Sequence, residues 1–498
     1  MKEMKLYNTL TRSLDEFTPM SPDRVTLYTC GPTVYDYLHV GNWAAYVYWD
    51  TLVRVLKFNG YEVERVMNIT DVGHLVSDAD DGEDKLEKGA RRDGKTAWEI
   101  AEHYTEAFVR GMHEFGLVPP EHMVRATDFI PQQLALVRTL KEKGYTYQTS
   151  DGIYFDTSKF PRYADFAQLD LAAQKAGARV EANSEKRQPW DFALWKFTEP
   201  GKRRDMEWET PEDLLDPLKR ETLRVASGAA GAVMGFPGWH LECSTMAMEL
   251  LGQTIDIHTG GIDHIPVHHT NEIAQSEAAS GVQFARYWLH CNHLKIDGGK
   301  ISKSLGNGYT MTHLKERGFT AMDLRMFILQ SHYQSEGNFS FDILTAARNR
   351  LKNWRDVACL RHQVHDRLDD DTKRNDAPQH LSPQAAIGAM REALNNNLNT
   401  PEALSIIDES FSSISQRPLG AIYRAGLVEL LQTIDDVLGL QLLDSTPDIS
   451  DDAKQLLVER RRARDDKNWT RSDELRDQLK AMGVVVRDTA HDTIWTYA

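Results

Sequence analysis

The apolar positions change their period twice within the first seventy residues. Residues 24 to 30, RVTLYTC, form a run of β-branched and aromatic side chains, the pattern of a buried strand. A turn-rich GPTVYDYLHVGN follows, and NWAAYVYWDTLVRVLKFNG then predicts a helix stopping at Gly60. EVERVMNIT, 62 to 70, returns to strand character. Strand, loop, helix and strand make a βαβ unit, which implies a parallel sheet with its ligand crevice at the carboxyl ends of the strands. A charged helical stretch occupies about 83 to 115.

Residues 121 to 235 interrupt this pattern and read as an insertion of short helices, a hairpin-like SDGIYFDTS and polar segments such as EKRQPWDFALWKF. SGAAGAVMG, 227 to 235, reads as a flexible link. The sheet pattern resumes in TIDIHTGG and YWLHCNHLKID, and 343 to 445 is helical apart from a break at NNNLNTP, 395 to 401. The expected organisation is an α/β core in two halves, 1–120 and 236–342, split by the 121–235 insertion. A helical domain, 343–445, and a small C-terminal α+β module, 446–498, complete it.

A chain of 498 residues exceeds what one hydrophobic core serves, so several domains are expected. The N-terminus has no apolar signal region and no window nears 18 apolar residues, so neither a signal peptide nor a membrane anchor is expected, and a cytoplasmic location is. Four scattered cysteines argue against a disulfide framework and suit a reducing compartment. A net charge of −16 speaks against indiscriminate nucleic-acid binding, although a local basic face can operate on an acidic protein.

Two places suit phosphate. HVGN, 39 to 42, stands where the first strand's loop enters its helix, and helix N-termini offer unpaired N–H groups and partial positive charge. Gly41 permits close backbone approach, while His39 and Asn42 can donate hydrogen bonds to phosphate oxygens. A plain helix cap with a packing glycine fits the same residues. KISKS, 300 to 304, sets Lys300 and Lys303 beside small hydroxyl residues and glycines, a cationic loop suited to developing phosphate charge or simply to solvent.

GGIDHIPVHHTNEIAQSEA, 260 to 278, raises a different question. His268 and Glu272 are four apart, on one face of a helix. Upstream, Cys30 ends the first strand and Cys243 lies in GFPGWHLECS. A Cys/Cys/His/Glu set would give two thiolates and room for a substrate, whereas a polar core corner would need no metal.

The pair HVGN and KISKS resembles the two signatures of class I aminoacyl-tRNA synthetases. YTCGPTVYDYLHVGN, NITDVGH, GFPGWHLECS, GGIDHIPVHHTNEIAQSEA and KISKSLGN, in that order, are similar to the motifs of the cysteinyl-tRNA synthetase family, and the likeness continues through LNTPEAL and GVVVRDTAHDTIW. The resemblance implies a Rossmann-like catalytic core and zinc held by Cys30, Cys243, His268 and Glu272. It implies a cysteine pocket of Thr70, Trp239 and Asp263, with Asp263 facing the ammonium and His258 and His269 near the substrate carboxylate or orienting the ligands. His264 reads as structural, and Cys291 and Cys359 as small apolar residues.

The implied reaction joins L-cysteine to tRNA(Cys) through a cysteinyl-adenylate formed from Mg2+-ATP. His39, Gly41, Asn42, Lys300, Ser302 and Lys303 would contact ATP, and selection of cysteine by its thiolate needs no editing domain. A monomer is the expectation. ERRRARDDKNW sets Arg460, Arg461, Arg462, Arg464 and Lys467 near Trp469, a combination suited to RNA phosphate contact and base stacking. Family members commonly carry histidine where Asn42 stands, methionine at Ile301 and glutamate at Thr270. They also have a short SPWG-containing link where this chain has the longer TPEDLLDPLKRETLRVASGAAGAVM.

Three rivals remain. A cysteine ligase with an amino-sugar acceptor would lack the 446–498 module. A zinc hydrolase using Glu272 as base would leave both phosphate motifs without purpose. A zinc-stabilised RNA-binding module would have no need of them.

Overall fold

In β1, Arg24–Thr29, every residue after the first is buried, as befits a strand covered on both sheet faces. The computed structural model describes residues 3–72, 84–170, 185–199, 201–226, 232–301, 306–364, 382–489 and 492–497. Helix α1, Val40–Phe58, carries aromatic and aliphatic residues on nearly every face and is accordingly enclosed. It leads to β2, Glu62–Ile69. Helix α2, Ala97–Glu114, opens on a Thr96/Glu99 capping box and precedes the short strand β3, His122–Arg125. After the insertion come α3, Trp239–Leu251, β4, Ile255–Gly261, α4, Thr270–Ser280, and β5, Ala285–Cys291.

These five strands form one parallel sheet in the order β5-β4-β1-β2-β3. The winding reverses between β1 and β4, so the loops after those two strands diverge and leave a crevice at their carboxyl ends. HVGN and Cys30 leave from β1, and the histidine-rich loop leaves from β4. The Rossmann-like α/β core expected from the sequence is therefore present.

Two segments differ from the sequence reading. His122–Arg125 falls within the range read as insertion, yet it is the edge strand of the parallel sheet; half-exposed and four residues long, it carries no apolar run to announce itself. Phe192–Phe197, taken as part of a polar segment, is a wholly buried strand at the middle of an antiparallel five-stranded sheet. Lys196 is tolerated there because its ammonium meets Asp151 at 2.6 Å. Met234–Pro237 belongs to the same sheet and runs directly into α3. At the junction a Cβ on Gly238 would stand 2.0 Å from the Ala193 carbonyl oxygen, so the insertion sets the start of α3. The remainder of the 227–235 link, 227–231, lies outside the described residues.

Helices Phe341–Cys359, Pro383–Asn395, Thr400–Ser415 and Arg424–Leu438 build the helical region. Two helices, Asp451–Asp465 and Trp469–Ala481, and the hairpin Val484–Asp488/Thr493–Tyr497 form the C-terminal module. Among the described residues no helix is long and apolar enough to cross a membrane.

One buried carboxylate ties these parts to α1. Asp50 accepts from Arg54 Nε at 2.7 Å, from Arg325, and from the Val118 N–H at 2.7 Å. Arg54 donates onward to the Asp435 and Asp436 carbonyls, each at 3.1 Å, and to Gly116 at 2.6 Å. Arg325 donates to the Leu438 carbonyl at 2.6 Å and to Phe115 at 2.9 Å. The C-terminal ends of α2 and of helix Arg424–Leu438 thus rest on two cations, the charge their dipoles favour. Asp50→Ala strands two guanidinium groups in the interior and is expected to lower stability by about 3–5 kcal/mol, read from denaturant unfolding followed by tryptophan fluorescence.

Candidate metal and nucleotide centre

Directly after β1, the chain passes so close to β2 that a Cβ at Gly31 would stand 1.6 Å from the Asn68 carbonyl oxygen. The Gly31 N–H donates to Asn68 Oδ1 at 2.7 Å, and Asn68 Nδ2 donates to the Thr70 hydroxyl at 2.9 Å. This contact holds Cys30 at the crevice. Cys243 comes from the second turn of α3. His268 sits in a single π turn, Ile265–His269, that runs into α4, where Glu272 stands in the first turn. A π turn widens the backbone and often marks a functional site. The four sequence-chosen ligand atoms, from Cys30, Cys243, His268 and Glu272, lie within 4.8 Å of one another.

The donor set suits zinc in type and number. Glu272 Oε1 is buried and lies 2.7 Å from His268 Nε2, yet the two are not aligned as a hydrogen bond, as expected of lone pairs facing a common point. His268 Nδ1 meets His240 Nδ1 at 2.9 Å, which orients the ring. Burial opposes ionisation of Glu272, but His258 and His268 outweigh it and hold the carboxyl far below its usual range. Burial also opposes protonation of His268, but Glu272 and Cys243 raise it to about 10. Both thiols are pushed up, chiefly by burial. A divalent cation reverses that last tendency, since it binds thiolate and displaces the proton.

Around this set the other expected residues separate. Trp239 lies over the His268 ring, centroids 4.5 Å apart, and Thr70 is buried at the end of β2. Asp263 is exposed beside Gly261. His258 Nε2 meets Glu272 Oε2 at 2.7 Å while its ring stacks on Trp288 at 4.5 Å. His269 Nε2 is 3.5 Å from Cys30 Sγ, and its Nδ1 is 2.7 Å from His290 Nε2. His264 packs among Trp239, His268 and His269, and burial followed by the charge on His268 lowers it to about 4. The sequence reading passed over His240, His290 and Glu242. His240 stands three residues before Cys243 on the same helix face, a spacing that could have drawn attention to it. His290 and Glu242 become neighbours of the cluster only through the fold. Burial and the Asp71 carboxylate push Glu242 well up.

At the nucleotide signature, His39 does cap α1. Its Nδ1 accepts from the Gly41 and Asn42 N–H groups at 3.1 and 3.2 Å, and Asn42 Oδ1 accepts from the His39 N–H at 3.1 Å. The cap dictates the tautomer, because an accepting Nδ1 leaves the proton on Nε2. It likewise leaves Asn42 its amide N–H groups for donation. A Cβ at Gly41 would meet Ile301 Cδ1 at 2.9 Å, so the second residue of KISKS packs on the first turn of α1. His39 also bridges to Thr310, and the Val40 N–H donates to the Tyr309 carbonyl at 2.8 Å. Lys300 is exposed, and its carbonyl accepts from Asn307 at 3.1 Å. Ser302 and Lys303 lie outside the described residues.

The basic tail needs one correction. Arg460, read as RNA-facing, is 4% exposed and paired with Asp488 at 2.9 Å, because it stands on the inner face of its helix against the hairpin. Arg461, Arg462 and Lys467 are exposed, and Arg464 lies 5.7 Å from the ring of the exposed Trp469.

Comparison with known proteins adds independent findings. Residues 16–215 and 227–349 match the family described as tRNA synthetases class I (C) catalytic domain, and 446–495 match the cysteinyl-tRNA ligase anticodon binding domain. The chain is 42% identical over 490 residues to cysteine–tRNA ligase 1 of Burkholderia lata, covering 98% of this chain and 95% of that one. It is 37% identical over 518 residues to cysteine–tRNA ligase of Treponema denticola, covering 99% of each. Among solved structures it is similar to Agrobacterium radiobacter agnB2 LeuRS in a ternary complex with tRNA and LeuAMS, with TM-score 0.60, 13% identity and 87% of each chain covered. It is also similar to Mycobacterium tuberculosis methionyl-tRNA synthetase bound by methionyl-adenylate, with TM-score 0.55, 14% identity, and 84% and 93% covered. At such identities these two likenesses concern the fold.

The tail pairing yields a pH dependence. The hydrogen bond from Arg460 holds the Asp488 carboxyl at about 2, below its ordinary 3.8. Its stabilisation is therefore complete above the unfolded value and disappears as pH falls through the folded one. Acid titration followed by tryptophan fluorescence of the hairpin is expected to show undocking between about pH 4 and 2. Asp488→Asn is expected to remove that transition.

Proposed function

We propose, for a chain that belongs to the cysteine–tRNA ligase family of class I aminoacyl-tRNA synthetases, that cysteine is activated as an adenylate and chosen by its thiolate at a metal. The observation that carries this reading is the convergence of Cys30, Cys243, His268 and Glu272 at the crevice where the chain leaves β1 on its way to the start of α1. Zinc, when held by those four residues, would supply a coordination position open to a substrate thiolate, which binds it better than the hydroxyl of serine or an apolar side chain can.

The remaining work falls to the protein's own groups. The cysteine carboxylate attacks the α-phosphate of Mg2+-ATP, and pyrophosphate leaves. Backbone N–H groups at the start of α1, His39 Nε2–H and the Asn42 amide donate to phosphate oxygens. Lys300 and Lys303 bring positive charge to the departing pyrophosphate. Asp263 faces the substrate ammonium and Trp239 with Thr70 walls the pocket. The terminal ribose hydroxyl of tRNA then attacks the acyl carbon and AMP leaves. No covalent enzyme intermediate is required, so positioning and charge stabilisation suffice. Arg461, Arg462, Lys467 and Trp469 present the face that meets the anticodon end. The anticodon-domain match at 446–495 counts against the amino-sugar acceptor.

ATP–pyrophosphate exchange driven by cysteine, with serine as control, tests this. Cysteine is expected to exceed serine by at least about 10⁴ in kcat/KM. Stripping the metal with a strong chelator is expected to abolish exchange, and added zinc to restore it. Absence of cysteine-dependent exchange in folded, metal-replete protein would refute the reading.

A further inference from the structure

The cluster contains more ligand atoms than one four-coordinate ion needs. Besides the set already described, Cys30, His258, His269 and Glu272 also place their ligand atoms within 4.8 Å of one another. The two sets share Cys30 and Glu272 and differ in the other pair. One completes the site with the thiol of Cys243 and His268, the other with two imidazoles.

We infer that this chain has a second, histidine-rich position for a divalent metal ion, held by Cys30, His258, His269 and Glu272 and alternative to the two-thiolate position. The inference rests on the metal-binding reading above. Its support is the way the imidazoles are held. His269 directs Nε2 toward Cys30 Sγ at 3.5 Å, while its Nδ1 is fixed 2.7 Å from His290 Nε2. His290 is fixed in turn, with Nδ1 2.7 Å from the Thr9 hydroxyl. A ligating imidazole is commonly oriented in this way through its other nitrogen. His258 is wholly buried, directed at Glu272 Oε2 at 2.7 Å and clamped by its stack on Trp288. Gly260 makes room for this, since a Cβ there would stand 2.6 Å from His269 Cε1 and 2.7 Å from His264 Nδ1.

Shared ligands allow one ion at a time. The two positions differ in softness: two thiolates favour zinc, whereas one thiolate with two imidazoles also suits cobalt or nickel. The ion can therefore stay in the pocket when the Cys243 side is not engaged, with Cys30 and Glu272 as the common pivot.

Cobalt(II) replacing zinc in the full-length protein tests this without reference to activity. Wild-type protein is expected to bind one cobalt with near-ultraviolet absorption of two thiolates. Cys243→Ala is expected to keep one cobalt, bound up to about tenfold more weakly, with that absorption halved. His269→Ala alone is expected to leave the two-thiolate spectrum intact, and Cys243→Ala with His269→Ala to lose cobalt by at least a hundredfold. Circular dichroism establishes that each variant is folded. Loss of cobalt from folded Cys243→Ala as complete as from the double variant would overturn the inference. Retention in the double variant equal to that in Cys243→Ala would overturn it too. Failure of wild-type protein to bind cobalt or zinc would instead refute the metal reading on which the inference stands.

Discussion

Asp50 stands at the middle of α1, inside the protein, where a lone carboxylate could not remain ionised. Arg54 and Arg325 outweigh the effect of burial and hold it below its ordinary value. Their other N–H groups reach carbonyls at the ends of two different helices. The helix that presents HVGN is therefore joined both to α2 and to the helical region by charge-assisted bonds, those of Arg325 buried and those of Arg54 nearer the surface. The end of α1 that carries HVGN and the helical region are linked through this joint. A displacement of helix Arg424–Leu438 would have to break or carry along the guanidinium groups that bind α1.

The cluster at the crevice follows a different logic. Histidines, thiols and carboxylates are brought close together and largely cut off from water, an arrangement that costs stability unless the groups satisfy one another. They do so in part, through contacts from Thr9 to His290 to His269 on one side and the pairs His240–His268 and His258–Glu272 on the other, with Glu272 Oε1 left close to His268 without a hydrogen bond. Each imidazole has its ring direction fixed by the next.

Much of this was legible in the sequence, for reasons that differ from element to element. Arg24–Thr29 and Glu62–Ile69 announced themselves because both faces of a parallel sheet are buried and the strands are rich in β-branched, aliphatic and aromatic residues. Cys30, Cys243, His268 and Glu272 were legible as donors of the right chemistry, and the family resemblance joined segments that lie more than two hundred residues apart. His122–Arg125 was not legible, because an exposed edge strand needs no hydrophobic run. Phe192–Phe197 was hidden by its polar flanks and by Lys196, whose partner Asp151 is distant in sequence. Arg460 looked like its neighbours in a basic run, and only the Asp488 hairpin distinguishes it. The roles of His240 and His290 depend on ring contacts between separate elements, which no local pattern records.

The contact between Gly41 and Ile301 has a consequence for how the two signatures can vary. With no Cβ at residue 41, the Cδ1 end of Ile301 lies 2.9 Å from where that atom would stand. The two positions thus adjoin, and volume added at one would press on the other. A methyl group at 41 would require the tip of Ile301 to turn about χ2 while its β-branch holds χ1, with the His39 ring 3.1 Å away limiting the space on the other side. In this chain the free space at the glycine of the first signature is bounded from two sides, by the His39 cap within that signature and by Ile301 of the second.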